Sequence, residues 1–264
     1  THLTVEVILQ AYGWDKGWAL LLNSGGNMGA ITERSFGVPE AVISGQYGIG
    51  VVIDFFGLSA IASGQPVDFV YPSLTSVVPA SVGIVKSAPN MDNAKAFVNY
   101  LLSEPGQMVL FSPEIGRLPV VPDLYAKGPK DYPNPFKQKL GGVDFNDRLS
   151  SGRRDVVNSL YDHIITFRHR ELRDAWGAIY RAEESVAKSK SAGVAQARSL
   201  LADARKAASQ VPIDDKKASD KEVAGAFKST TGLKAQLETE WENAARANYV
   251  KATELANKAV ALSR

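Results

Sequence analysis

The proline and glycine residues are concentrated in the first two thirds of the chain. Of 13 prolines and 22 glycines, 12 and 19 precede Arg181, and the sequence after that residue is rich in alanine. Proline and glycine favour turns and end regular elements, whereas alanine favours helices. We therefore expect a turn-rich region at residues 1–180 and a C-terminal helical extension at residues 181–264.

Length, charge and cysteine content exclude several classes of protein. A chain of 264 residues with a net charge of +2 has too little positive charge to predict a nucleic-acid partner or an acidic membrane surface. Asp54 interrupts the richest apolar stretch, Gly48 to Ala62, so no membrane-spanning helix is predicted. The absence of cysteine excludes disulfides, thiolate metal sites and cysteine nucleophiles. Because the chain begins at Thr1 and not at Met, we expect a processed, trimmed or partial chain.

Apolar periodicity predicts helices alternating with strands. Leu3, Val7 and Ile8 have helical spacing and Thr1 suits an N-cap, so a helix from Thr1 to Gly13 is expected. Short β-branched runs predict strands, and apolar residues three and four apart predict further helices. The predicted strands are Tyr47–Phe56, Val67–Tyr71 and Ala80–Lys86, and the other predicted helices are Asp92–Leu102, Arg153–Ala182, Ala182–Ser209 and Ala235–Leu262. This alternation favours an α/β fold.

Motifs of enzymes and metal sites are missing from the sequence. The three histidines, His2, His163 and His169, have neither HExxH nor HxH spacing. There is no GxSxG elbow and no Walker A motif, and the glycine-rich segment at residues 24–29 lacks the Lys-Ser/Thr pair of a phosphate loop. We therefore expect no enzymatic activity, no cofactor and no metal site.

Two groups of polar residues near the start of the chain are candidates for ligand binding. The first is the start of the opening helix, where unpaired backbone N–H groups, Thr1 and His2 favour an anion. The second consists of Asn27, Thr32 and Glu33, which are short polar groups between apolar segments. Plain helix capping and loop solvation are the alternatives for these residues.

A third candidate group follows the predicted strands. Asp54 comes at the end of an apolar run and precedes Phe55 and Phe56, and Ser73 follows the next run. Ligands of open α/β sheets bind at the carboxyl ends of strands, so this location favours a binding role for Asp54 and Ser73.

An ordered series of short motifs runs through residues 1–180. It consists of Ser24-Gly-Gly-Asn27, Thr32-Glu-Arg-Ser35, Gly45-Gln-Tyr-Gly-Ile-Gly-Val-Val-Ile-Asp54, Phe69-Val-Tyr-Pro72, Val78-Pro-Ala80, Ala88-Pro-Asn90, Ala94-Lys-Ala-Phe-Val98, Leu102-Ser-Glu-Pro-Gly-Gln107 and Arg117-Leu-Pro119. The series resembles the substrate-binding proteins of ABC importers, in the branch labelled ferric iron, phosphosugar or phosphonate type. The C-terminal helices resemble an extension carried by longer members of that branch.

The resemblance implies a type II periplasmic-binding-protein fold, which is α/β and has two lobes with a ligand in the cleft between them. It implies that residues 1–180 form the second lobe and the return into the first, and that residues 181–264 form an all-helical extension. A signal peptide and most of the first lobe are then expected to precede Thr1. A chain truncated in this way is also a candidate for self-association.

The resemblance further implies a small anionic solute. In ferric-binding members two adjacent tyrosines follow the strand that corresponds to Gly48–Asp54, whereas this chain has Phe55 and Phe56, which lack the oxygen that Fe(III) prefers. We therefore expect a sugar phosphate, another organophosphate or a phosphonate, and not iron. By the same resemblance the protein is periplasmic and delivers its solute to an ABC permease in the inner membrane.

The candidate residues divide by the part of the solute that they would contact. The expected oxyanion ligands are Thr1, His2, Thr32 and Ser73, and the expected hydrogen-bonding partners of hydroxyl or amino groups are Asn27, Glu33 and Asp54.

The C-terminal helices leave a different class of function open. Residues 181–264 carry 15 Lys and Arg against 11 Asp and Glu and are partly amphipathic, as in a helical interaction or adaptor module with no small-molecule ligand. Trp241 and Tyr249 favour simple packing on the parent domain, because large aromatic side chains are more stable in a buried contact. An enzyme on the same fold is a third alternative, which the lack of a nucleophile and base pair disfavours.

Overall fold

The protein is helical in the residues that its computed structural model describes, which are 2–137, 142–229 and 232–264. No residue in these ranges belongs to a β-strand. Two 3₁₀ turns (Val109–Phe111 and Pro122–Ala126) and one π turn (Asp162–Thr166) accompany the α-helices. The α-helices are α1 (His2–Tyr12), α2 (Trp14–Asn27), α3 (Gly37–Ile43), α4 (Asp54–Ala62), α5 (Met91–Leu102), α6 (Glu104–Met108), α7 (Asp147–Tyr161), α8 (His169–Lys188), α9 (Val194–Ala208), α10 (Asp215–Ala218), α11 (Lys221–Lys228) and α12 (Gly232–Ser263).

The predicted α/β fold of the type II periplasmic-binding-protein kind is wrong for the described residues. The runs predicted as strands contain extended or irregular backbone, and none of them pairs with a neighbour in a ladder. Ile49 and Val51, in the first of these runs, are accordingly 89% and 62% exposed. A β-branched run forms a strand only where a second strand takes up its backbone N–H and C=O groups, and composition alone does not supply that partner.

The first predicted strand also ends earlier than its apolar pattern indicates, because α4 begins at Asp54. Asp54 Oδ1 accepts a hydrogen bond from the N–H of Phe55 at 2.9 Å. A carboxylate in the first turn is stabilised by the positive end of a helix. Phe55 and Phe56 are therefore helical, and Asp54 marks the start of a helix and not the end of a strand.

Several predicted helices are confirmed. The opening helix corresponds to α1, which ends before Gly13, whose φ of 79° is a conformation that glycine adopts without strain. Thr1 itself lies outside the described residues. The helix predicted at Asp92–Leu102 corresponds to α5, and the helical block predicted at Arg153–Ala182 overlaps α7 and α8, which the π turn separates.

Residue contacts divide the chain into two compact units. The discontinuous unit comprises Thr1–Ile31 and Asp144–Arg264, and the inserted unit comprises Thr32–Val143. Helices α1, α2 and α7 to α12 belong to the discontinuous unit, and α3 to α6 belong to the inserted unit. The domain boundary proposed after residue 180 stays a prediction, and α8 runs through that position without a break.

The long helices α8, α9 and α12 form the centre of the discontinuous unit. The buried side of α12 includes Trp241, Ala245, Tyr249 and Ala252, whose spacing of three or four residues defines one face of a helix. Alanines on that face allow α8 and α9 to pack closely against α12. The Tyr249 hydroxyl donates to the carbonyl of Ile164 in the π turn at 2.5 Å.

Helices α1 and α2 complete this core as a hairpin. Trp18 and Leu22 of α2 are fully buried, and α2 packs against α8. The Trp14 indole N–H donates to the carbonyl of Ile213 at 2.8 Å, which ties the start of α2 to the segment before α10.

A buried ion pair connects α1 with α7. Arg153 Nε donates to Glu6 Oε1 at 2.8 Å and Arg153 Nη2 donates to Glu6 Oε2 at 3.0 Å, and the two side chains are 2% and 0% exposed. Arg153 also pairs with Asp215, and the Gln10 amide donates to Glu6 Oε2 at 3.1 Å. Each charge is therefore compensated by hydrogen bonds, which a buried ion pair requires.

We expect Arg153→Met to destabilise the discontinuous unit by about 3–5 kcal/mol, because it leaves the Glu6 carboxylate buried and unpaired. The double variant Glu6→Leu/Arg153→Met removes both charges and is expected to recover much of that loss. Urea unfolding followed by tryptophan fluorescence measures the effect, since all four tryptophans lie in this unit. Arg154→Met changes the exposed neighbouring arginine and serves as the control. Equal destabilisation by Arg153→Met and Arg154→Met would contradict the assigned role of the ion pair.

Candidate functional site

The structure distributes the predicted ligand-binding residues over both units. Thr1 lies outside the described residues, so its predicted role stays a prediction. The discontinuous unit contains His2 and Asn27, and the inserted unit contains Thr32, Glu33, Asp54 and Ser73.

His2 is the first residue of α1 and contacts α7. Its Nε2 forms a hydrogen bond with Ser150 Oγ at 3.0 Å. Burial lowers the pKa of the His2 imidazole, and the nearby positive charge of Arg154 acts in the same direction. The neutral form of His2 is therefore favoured, which weakens its predicted attraction for an anion.

Asn27 is the last residue of α2 and contacts α8. Its side-chain amide donates to the carbonyl of Asn23 at 3.0 Å and to the Tyr180 hydroxyl at 2.5 Å. The sequence grouped Asn27 with Thr32 and Glu33, whereas its contacts in the structure are with α2 and α8.

Three predicted residues of the inserted unit lie in turns. Thr32 Oγ1 donates to the carbonyl of Arg34 at 2.9 Å and closes a turn before α3. Glu33 and Ser73 have exposed side chains. The ligand-binding roles of Thr32, Glu33 and Ser73 therefore stay predictions.

Asp54 is the predicted residue with the most developed surroundings. Its Oδ1 accepts the N–H of Phe55, and its Oδ2 accepts a hydrogen bond from the Tyr71 hydroxyl at 3.1 Å. These two bonds fix the orientation of the carboxylate, and each of its oxygens can still accept a further hydrogen bond. Asp54 can therefore accept a hydrogen bond from a ligand hydroxyl or amino group.

Three tyrosines surround this carboxylate. Burial raises the pKa of Tyr71, Tyr125 and Tyr132, and the negative charge of Asp54 raises each of them further. The pKa of Tyr132 rises to about 12. The three hydroxyls thus stay protonated at neutral pH and act as hydrogen-bond donors, which disfavours them as phenolate ligands of a metal.

The same tyrosines hold the segment that carries Arg117. The Tyr125 hydroxyl donates to the carbonyl of Pro119 at 2.8 Å, and the Tyr132 hydroxyl donates to the carbonyl of Arg117 at 3.2 Å. The aromatic rings of Tyr125 and Tyr132 pack edge-to-face on buried Phe111, at centroid distances of 5.5 and 5.0 Å. The backbone around Arg117 is therefore fixed by hydrogen bonds and by ring packing.

Gly116 brings this segment against α4. Its φ is 59°, and a Cβ at this position would lie 3.0 Å from the Ser59 nitrogen and 3.2 Å from the Phe55 oxygen. A larger residue would be strained here and would also push the segment away from α4. Gly116 thus allows the close approach that positions Arg117.

The guanidinium of Arg117 lies 3.9 Å from the centroid of the Phe55 ring. This cation–π contact fixes the side chain without consuming its N–H groups. No salt bridge to Arg117 occurs in the part of the chain that the structure describes. Arg117 therefore presents an oriented positive charge, and we call Asp54, Phe55, Tyr71 and Arg117 together the Asp54–Arg117 site.

Sequence reasoning selected Asp54 and missed Tyr71 and Arg117. Both missed residues belong to the motifs Phe69-Val-Tyr-Pro72 and Arg117-Leu-Pro119 of the resemblance. An unpaired arginine next to a proline-rich segment with several tyrosines is a detectable signal, but its contact with Phe55 follows only from the structure. Across residues 2–137, 142–229 and 232–264, no group of three or more His, Asp and Glu side chains is placed to hold a metal ion.

Comparison with known proteins identifies the family. Residues 1–145, which include the whole inserted unit, match the bacterial extracellular solute-binding proteins. The chain belongs to this family. Membership of this family implies an extracytoplasmic location.

Two curated relatives are similar to this member of the family. They are the phosphoglycerate transport regulatory proteins PgtC of Salmonella typhimurium (strain LT2) and Salmonella typhi, each 37% identical over 182 residues. Each match covers 69% of this chain and 45% of the relative, so the chain spans less than half the length of the curated relatives it matches. No solved structure matches the chain. Within the described residues, no helix has both the length and the apolar character needed to cross a bilayer.

We expect Asp54→Asn to lower the pKa of Tyr71 and Tyr132, because it removes the negative charge that opposes their ionisation. The contribution of burial remains, so both phenols still titrate above the ordinary value of 10.0. Tyrosinate absorbance during an alkaline titration measures the change. Asp123→Asn removes an exposed carboxylate two residues from Tyr125 and is the control; an unchanged titration curve for Asp54→Asn would contradict the assigned interaction.

The same shifts predict how stability depends on pH. A pKa that folding raises contributes stability that is complete below the unfolded value of about 10 and is lost as the pH rises through the folded value. The inserted unit should therefore lose stability above pH 10.0, the ordinary value for tyrosine. Asp54→Asn should make that loss smaller.

Proposed function

We propose that the chain is the solute-binding region of a periplasmic component of an ABC importer, and that its solute is a small phosphorylated anion. A sugar phosphate, another organophosphate or a phosphonate fits this description, and ferric iron does not. The oriented, unpaired guanidinium of Arg117 is the observation that carries the proposal.

Arg117 supplies the interaction with the anionic group. A guanidinium donates two parallel N–H bonds to a phosphoryl group, and it keeps its charge at all accessible pH values. Because Phe55 and the fixed backbone already hold Arg117, little conformational freedom is lost when the anion binds. The name of the relatives, which refers to phosphoglycerate transport, supports a small organophosphate.

Asp54 and Tyr71 supply the interaction with the remainder of the solute. The Asp54 carboxylate accepts hydrogen bonds from hydroxyl or amino groups, and its contact with Tyr71 fixes its direction. The Arg117 cation and the Asp54 carboxylate of the Asp54–Arg117 site together select a solute that carries both an oxyanion and a hydroxyl. The predicted contacts of Thr32, Glu33 and Ser73 remain part of this proposal.

The proposed activity is binding without catalysis. Covalent catalysis requires a nucleophile close to a base. The groups of the Asp54–Arg117 site are a cation, a carboxylate and protonated phenols, which suit hydrogen bonding to a solute. The bound form would then be recognised by a permease of the inner membrane. No nucleic-acid partner is proposed.

A regulatory role for the same solute is the second candidate. The relatives are named transport regulatory proteins, which favours a protein that reports the solute over one that delivers it. A strain whose transport genes are expressed from a constitutive promoter distinguishes the two. Deletion of the gene for this protein should abolish uptake if the protein is an import component, and should leave uptake intact if it is a regulator.

We expect phosphoglycerate, and neither glycerate nor ferric citrate, to bind the full chain in isothermal titration calorimetry. Mass action then stabilises the folded protein by about 2.7 kcal/mol when the ligand is ~100-fold above its dissociation constant. Binding of glycerate with equal affinity would contradict the need for a phosphoryl group. A response to ferric citrate alone would overturn the assignment of the solute.

Arg117→Gln tests the site itself. It should weaken phosphoglycerate binding about 10- to 100-fold, since hydrogen bonds to charged groups contribute about 1.5–3 kcal/mol. Lys95→Gln removes an exposed positive charge from α5 of the same unit and should leave the affinity unchanged. An equal effect of the two variants would show that general charge, and not the Asp54–Arg117 site, determines binding.

A further inference from the structure

A second polar cleft lies in the discontinuous unit, between the end of α2 and the first three turns of α8. Its volume is about 670 Å³, and it is open to solvent, since Arg170, Arg173 and Asp174 in its lining are exposed. We call it the α2–α8 cleft. It is lined by Gly26, Asn27, His169, Arg170, Arg173, Asp174, Gly177 and Tyr180.

Positive charge predominates in this cleft. Arg170 and Arg173 lie three residues apart, so both project from the same side of α8. Neither arginine forms a salt bridge to another described residue. Arg173 Nη1 contacts the carbonyl of Gly29 at 3.4 Å, which leaves its other N–H groups available. Asp174 is the one carboxylate in the lining, so two full positive charges face a single negative charge.

Two carbonyl groups near the end of α2 already have donors. The carbonyl of Gly25 accepts from His169 Nε2 at 3.1 Å and from the N–H of Met28 at 3.2 Å. The carbonyl of Asn23 accepts from the Asn27 side chain at 3.0 Å. Because these bonds occupy lone pairs on two carbonyl groups at the end of α2, the repulsion that an anion would meet from those two groups is reduced.

The shape of the cleft is set by close packing. A Cβ on Gly26 would lie 2.3 Å from Trp176 Cδ1, so the absence of a side chain lets α2 rest on the Trp176 ring. Trp176 is buried and its ring lies 5.7 Å from that of Tyr180. The Tyr180 hydroxyl in turn accepts the Asn27 amide. The wall of the cleft beside Asn27 is therefore held by buried and hydrogen-bonded groups.

We propose that the α2–α8 cleft is an oxyanion site that takes phosphate or the phosphoryl group of a small organic anion. Arg170 and Arg173 bind the oxyanion, and the hydrogen bond between the Asn27 amide and the Tyr180 hydroxyl holds the wall beside them. The site is separate from the Asp54–Arg117 site and does not depend on the proposed function. Asp174 limits its affinity, because its carboxylate repels the bound anion.

The test is a titration of the full chain with inorganic phosphate at constant ionic strength. Amide resonances of Gly26 and Gly177 and the side-chain amide of Asn27 report the cleft in heteronuclear NMR spectra. Saturable shifts at these three groups are expected. Shifts that do not saturate, or that spread over all exposed basic residues, would overturn the proposal.

Substitutions in the cleft are expected to change its affinity for phosphate in opposite directions. Arg170→Gln/Arg173→Gln should weaken phosphate binding about tenfold or more, and Asp174→Asn should tighten it several-fold. Arg198→Gln, an exposed arginine of α9, is the matched control and should change nothing. An unchanged affinity in both the arginine double variant and Asp174→Asn would overturn the proposal, and Asp174→Asn still decides the question if the double variant does not fold.

Arg117→Gln separates this site from the proposed function. Phosphate should bind the α2–α8 cleft of Arg117→Gln as it binds the wild type, even if phosphoglycerate binding is lost. Loss of the cleft shifts in Arg117→Gln would overturn the independence of the two sites. Loss of phosphoglycerate binding with retained cleft shifts would leave both proposals standing.

Discussion

The discontinuous unit depends on the buried pair of Glu6 and Arg153. These residues are 147 positions apart, and they join the α1 segment to the helices that follow the inserted unit. Two charges without exposure to water are stable only when every hydrogen bond between them is made. The requirement fixes the position of α1 against α7, which in turn sets the hairpin of α1 and α2. Because α2 packs on α8, the α2–α8 cleft is also a consequence of this arrangement.

The inserted unit depends on a different kind of interaction. Its best-defined region consists of aromatic rings packed around Phe111 and of tyrosine hydroxyls bound to the backbone near Arg117. Burial keeps those hydroxyls protonated and so makes them dependable donors. The structural groups around Arg117 have partners, whereas among the described residues its guanidinium contacts the Phe55 ring and forms no salt bridge. A site in which the supporting groups are satisfied and one cation is free is organised for an anionic ligand.

Helical periodicity was a sound basis for prediction, and strand propensity was not. The apolar faces of α1 and α5 are local patterns, and both helices occur where the sequence predicts them. The run at Tyr47–Phe56 has the residues of a strand, but no strand in the described part of the chain pairs with it, and its last three residues belong to α4. Asp54 was selected because it was expected at the end of a strand, yet it lies at a helix start beside Tyr71. Arg117 was not selected, because nothing local to its sequence shows the contact with Phe55.

The sequence by itself determined the positions of α1 and α5 and much of the helical content after residue 153, the lack of enzyme motifs and the series of motifs that marks a solute-binding protein. These properties depend on residues close together in the chain, and residues 1–145 carry the family match. The tertiary structure decided that the predicted strands stay unpaired within the described residues, that Asn27 contacts Tyr180 and that Arg117 lies over Phe55. Each of these depends on groups that are far apart in the sequence, and their proximity is set by packing and by the pairing of buried polar groups. Short-range patterns do not contain that information.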